Sequence, residues 1–279
     1  MDEHRNPYKY TPSGAAAMIF LCCFAIFTLG HIFIIVHRRV WYFTPVAIGG
    51  ILEVVGYAGR FLGNSDPSAL GPFIMQTLCL LVSPTLFAAS IYMVLGRLNT
   101  MLHAEPLSPV RPRWLTKIFV GGDIVSFVVQ LAGAGMLSSA SNFSLGKTII
   151  LVGLVVQILF FGLFVVAGGV FHVRLLKNPT PVSLRLDSGP SASWIRGPSN
   201  WRGVLYTLYA VSLLIFVRSL FRLIEYTGGS DGPLLTQEVW LYIFDSVLML
   251  GVMVILILQH PNNFISNRAS KHLSGEELL

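Results

Sequence analysis

Apolar residues run together in seven stretches, 14–36, 42–62, 70–95, 116–138, 146–171, 203–225 and 236–258. Each is long enough to carry an α-helix through the roughly 30 Å hydrocarbon layer of a bilayer. The pattern predicts an all-α polytopic membrane protein: a short extracellular N-terminus (1–13), a seven-helix transmembrane domain (14–261) and a cytosolic tail (262–279). The first stretch follows Asp2 and Glu3 rather than a basic leader and is too long for a signal-peptide core, so it is expected to be retained. Composition agrees, since 54% hydrophobic and 11% charged residues, with a mean hydropathy of +0.69, fall outside the range of water-soluble domains.

Within this background the polar residues keep helical spacing. Glu53, Tyr57 and Arg60 stand at i, i+4 and i+7 and share one face of the second helix. Arg218, Arg222 and Glu225 repeat the spacing in the sixth, and Glu238, Tyr242 and Asp245 in the seventh. Asp123, Ser126 and Gln130 mark a narrower stripe on the fourth. A charge at the centre of a membrane helix costs about 2.5–3.5 kcal/mol, so these faces are expected to turn inward and form one shared site. Two uses are open. The groups are counter-ions, Glu53 with Arg60 and Arg218 or Arg222 with Glu225 or Asp245; or they line a cavity of both signs that takes an amphiphile. In the second use the paired arginines suit a phosphate or carboxylate, and an ammonium would seek Glu53 or Asp245.

The net charge of +6 reports topology rather than a nucleic-acid partner. Thirteen lysines and arginines lie in the loops after the first, third and fifth spans and in the tail, against Arg5, Lys9 and Lys147 on the other side. The positive-inside rule then puts the C-terminus in the cytosol and the N-terminus outside, with the acceptor Asn142-Phe143-Ser144 on the outer side. Residues 174–202, rich in Pro, Ser and Gly, are expected to form a flexible cytosolic loop. Pro84 is expected to kink the third span and free a carbonyl that Ser83 or Thr85 could take.

Catalytic chemistry is not expected. Leu145-Gly146-Lys147-Thr148 has Ser141 where a phosphate-binding loop needs glycine, which argues against ATP. The seven histidines include no pair at i and i+4, no metal or other cofactor motif appears, and the last span has no lysine for a retinal. Uphill movement would therefore draw on an ion gradient, with Glu53, Asp123 and Asp245 as candidate carriers. A receptor-like sensor of membrane lipids is the alternative of a different class.

Six motifs occur in order over nearly the whole chain: Tyr8-x-Tyr10-x-Pro12-Ser13; Glu53-x-x-Gly56-Tyr57-x-Gly59-Arg60; Leu107-Ser-Pro-x-Arg-Pro-Arg-Trp114; Phe119-x-x-Gly122-Asp123, followed by Gln130; Arg218-x-x-Phe221-Arg222-x-x-Glu225-Tyr226; and Glu238-x-x-x-Tyr242-x-x-Asp245. Together they resemble the fungal lipid-translocating exporter family, the aminocholesterol and molasses-toxin resistance type that includes sphingoid long-chain base transporters. The resemblance implies a seven-span protein that exports amphiphilic lipids or drugs at the plasma membrane. The polar residues of the second, fourth, sixth and seventh helices would then form its substrate path. At Gln237 the chain departs from the histidine that many members carry.

Overall fold

The computed structural model describes residues 12–136, 143–187, 200–227 and 238–260. Tyr8, Tyr10, Asn142, Gln237 and the basic tail residues lie outside them. The helices are α1 Gly14–Arg38, α2 Thr44–Ser65, α3 Leu70–Met101, α4 Pro112–Met136, α5 Phe143–Lys177, α6 Pro181–Asp187, α7 Trp201–Thr227 and α8 Glu238–Leu258. Seven of these, all but the short α6, are long and apolar enough to cross a membrane. The interior of α8 widens into a π-helical turn over Tyr242–Val247.

Local chemistry sets the ends. Ser13 caps α1 by accepting the Ala16 N–H at 3.4 Å. At the other end Arg39 takes the left-handed conformation with φ 53°, and the Val40 N–H returns to the Ile35 carbonyl at 2.9 Å. Proline begins α4 and α6 and sits in the first turn of α2, where a missing N–H costs nothing.

Helix α3 occupies the centre. It touches α2, α4, α5 and α7, while α4–α5, α5–α7, α7–α8, α8–α1 and α1–α2 contacts form an arc about it. The burial gradient follows, with 67% of the apolar window of α3 inside against 22% for α1. Ile19, Ile26, Leu29 and Phe33 point outward from α1, an arrangement that water would penalise and hydrocarbon does not. Small residues set the close approaches: a Cβ on Gly59 would lie 2.9 Å from the Pro72 carbonyl, and one on Gly133 2.7 Å from the Gly146 carbonyl. At 32 and 35 residues, α3 and α5 outrun their apolar stretches and, at about 1.5 Å per residue, project beyond the hydrocarbon layer.

Of the segment expected as a flexible loop, 174–187 and 200–202 are described and are largely helical, and 188–199 lie outside the described residues. Helix α5 runs on to Lys177, and Thr180 donates to the Leu102 carbonyl at 2.8 Å while accepting the Ser183 N–H at 3.1 Å to start α6. The Trp201 indole N–H then donates to the Ser183 carbonyl at 3.3 Å. Threonine as an N-cap and tryptophan as an anchor order the described parts of this segment.

Candidate functional site

Three of the four polar stripes converge. Asp245 of α8 accepts Arg218 Nε at 2.7 Å with one oxygen and Arg222 Nη2 at 2.5 Å with the other. Arg222 gives its second terminal nitrogen to Glu225 at 2.9 Å, three residues on along α7. Arg218, which is completely buried, places Nη2 on the Leu80 carbonyl at 2.6 Å. That carbonyl is open because Pro84, four residues later in α3, has no N–H to give it. The expectation that Ser83 or Thr85 takes the freed carbonyl is thus corrected. Ser83 donates to Gly49 at 2.9 Å, Thr85 accepts from Gln157 at 3.1 Å, and the guanidinium of another helix caps Leu80.

A second knot lies toward the end of the bundle where α1 begins. Arg60 donates to Glu238 at 2.7 Å and through Nε to the Tyr242 hydroxyl at 3.0 Å; Tyr242 in turn donates to Glu238 at 2.9 Å. Glu238 also accepts the Ser13 backbone N–H at 2.9 and 3.0 Å, and Asn64 donates to the Pro12 carbonyl at 2.6 Å, so the start of α1 is tied to this knot. Between the knots the hydroxyls of Tyr57 and Ser246 are hydrogen-bonded. Phe20 stacks on Tyr242 at 5.1 Å and on Tyr57 at 5.7 Å, closing the lipid side with α1. The π-turn lets neighbouring residues serve two partners, Asp245 facing α7 and Ser246 facing α2.

The expected Glu53–Arg60 counter-ion pair gives way to Arg60–Glu238. Two helical turns, about 10 Å, separate Glu53 from Arg60 along α2. Glu53 is buried beside Ser83 and feels the field of Asp245, Arg218 and Arg222 instead. Three guanidiniums therefore face the three carboxylates Glu225, Glu238 and Asp245, with the Glu53 side chain buried beside them. With Arg222 already held by two carboxylates, the arginines need no phosphate to neutralise them. What was expected as an open cavity of both signs is, in this conformation, a packed network.

The fourth stripe lies elsewhere. Helix α4 packs on α3 and α5, where Asp123 accepts the Tyr92 hydroxyl at 2.9 Å. Gln130 donates to Ser126 at 3.0 Å and to Gln157 at 3.0 Å, and Ser126 donates to the Gly153 carbonyl at 2.9 Å. Asp123 and Gln130 thus belong to a seam of their own. The residues that spacing did not single out are Pro84 with Leu80, Ser246, Tyr92 and Gln157. Proline was the available signal for the first; the others look like ordinary helix residues until their partners are placed.

A bundle with an apolar exterior and ion pairs buried among seven spanning helices defines a polytopic integral membrane protein with an intramembrane charge network. The chain belongs to the family described as RTA1 like protein, whose profile matches residues 46–268 and so takes in every charged residue of the site. It is 36% identical to Protein RTA1 of Saccharomyces cerevisiae, over 91% of this chain and 84% of that one. It is 34% identical to Protoporphyrin uptake protein 1 of the same yeast, over 88% and 89%. To the Sphingoid long-chain base transporter RSB1 of S. cerevisiae strain Lalvin EC1118 it is 28% identical, over 86% and 69%. No solved structure matches the chain.

Proposed function

We propose that the protein translocates amphiphilic lipids of sphingoid-base or sterol type, or toxic amphiphiles, across the plasma membrane. It would thereby contribute to lipid asymmetry and to drug or toxin resistance. It acts as a carrier rather than an enzyme, without ATP or a cofactor, with its N-terminus outside and its C-terminus in the cytosol. The observation that carries this reading is the pair of ion-pair knots inside the bundle, Arg218 and Arg222 on Asp245 between α7 and α8 and Arg60 on Glu238 between α2 and α8. Buried ion pairs add little net stability and ionisable groups inside a membrane are costly, so a network of this size is better explained by function than by architecture. The kink-permitting Pro84 and the π-turn of α8 meet at the same network, which supports a seam with two arrangements. Relatives named for sphingoid long-chain base transport and for protoporphyrin uptake support an amphiphilic cargo.

The test is movement of a labelled sphingoid base across proteoliposomes containing only this protein. Flux above that of protein-free vesicles, lost in Glu53→Gln at matched reconstitution and unchanged fold, is expected. Saturable binding without flux would overturn the carrier reading in favour of a lipid sensor.

A further inference from the structure

Among the buried carboxyl groups of the described residues, Asp123 is the one that the charge network leaves out. It lies near the middle of α4, is 1% exposed, and accepts the Tyr92 hydroxyl on Oδ2. Its other oxygen, Oδ1, is buried with no hydrogen-bond partner among the described residues. Glu225, Glu238 and Asp245 differ, since each is bonded to an arginine. Aromatic rings surround the pair: Tyr92 lies 4.4 Å from Phe164 and 5.6 Å from Phe119, centroid to centroid, and Phe119 is one turn before Asp123 on α4. A carboxylate in hydrocarbon needs a counter-charge, and ring faces favour a cation beside it. One free oxygen among rings cannot replace the several oxygen ligands a hard metal cation requires. An alkylammonium fits, because it donates a charge-assisted hydrogen bond to Oδ1 and turns the rest of its cationic head and its C–H groups to the ring faces.

We propose that Asp123, with Tyr92 and the rings around it, is the site for the ammonium head of an amphiphilic amine. Oδ1 takes the head, Tyr92 fixes the carboxylate through Oδ2, and Phe119 and Phe164 face the carbons next to nitrogen. The site deepens the translocation reading and rests on it for the apolar tail of the ligand. It also replaces Asp245 as the partner expected for an ammonium, since both oxygens of Asp245 are taken by arginines.

The experiment measures binding of dodecylamine and of dodecanol to the purified chain in phosphatidylcholine nanodiscs. The amine is expected to bind more tightly than the alcohol. Asp123→Asn, which keeps an acceptor for Tyr92, should weaken the amine about tenfold or more and leave the alcohol unchanged. Phe164→Leu should weaken the amine by about three- to tenfold. Full amine affinity in Asp123→Asn overturns the proposal. On the unaltered chain, labelling of Asp123 by a hydrophobic carbodiimide, read by mass spectrometry, should slow with N,N-dimethyldodecylamine, a tertiary amine that cannot be captured as an amide, and not with dodecanol; equal labelling with and without the tertiary amine also overturns it. Amine binding at Asp123 without flux would leave the site standing and sink the carrier reading, whereas flux with no amine preference at Asp123 would do the reverse.

Discussion

Asp245 shares its two oxygens between two guanidiniums inside the bundle, so its removal strands two charges at once. Asp245→Asn is expected to destabilise the fold by about 3–5 kcal/mol, the scale for breaking a buried pair from one side. Glu53→Gln should lower stability far less, because among the described residues Glu53 has no ion pair to break and its neighbour Ser83 donates to the Gly49 carbonyl instead. Denaturant unfolding in detergent checks both, and equal losses in the two variants would contradict the geometry. Arg222→Lys keeps the charge but loses the fork that reaches Glu225 and Asp245 together, and should fall between them. A residue at the opposite end supplies a pH dependence. His260 packs on Phe43 at 4.8 Å, and burial first, then the nearby His31 and Arg38, push its pKa down to about 3 from 6.5. The neutral ring is the native form, so its contribution is complete above about pH 6.5 and is lost as pH falls from there toward 3, by about 1.4 kcal/mol per pH unit. Melting between pH 7.5 and 5 should therefore drop more steeply in the parent than in His260→Phe.

At the scale of an element, α3 and α7 are joined by a bond that a proline creates. Leu80 offers a carbonyl only because Pro84 cannot donate to it, and Arg218 fills the gap. Pro84→Ala restores the helical donor at Leu80 and removes about 3 kcal/mol of helix penalty, against a charge-assisted hydrogen bond of about 1.5–3 kcal/mol that it competes with. The expected outcome is a stability close to that of the parent and a fall in flux as α3 loses its break. A large loss of stability with normal specific flux would make the proline an architectural feature only.

The described helices form an arc about α3, tied at one end by Ser13 and Asn64 and at the other by α6 and Trp201. An odd number of spans puts the described ends of α1 and α8 on opposite faces. The basic loops then orient the molecule: a cysteine at Ser68, between α2 and α3, is expected to react with an impermeant maleimide from outside the cell, and one at Arg185 in α6 only from the cytosol. The reverse pattern would invert the proposed orientation and leave the fold untouched.

What the sequence determined by itself follows from a penalty that acts residue by residue. Hydrocarbon rejects a lone charge and an unpaired peptide group, so apolar runs of sufficient length become helices, and Glu53, Arg60, Arg218 and Asp245 must face inward wherever the helices sit. The spans and their polar faces were therefore legible from spacing, as was membership of the family from its motifs. The choice of partner depends instead on helix order and rotation about α3, which no local spacing encodes. Only the tertiary structure decided that Arg60 goes to Glu238 rather than Glu53 and that Asp123 stays with Tyr92 on α3, away from the arginines. It alone also showed Arg218 resting on a backbone carbonyl, because that acceptor is present in every residue and becomes available only where Pro84 withholds its hydrogen bond.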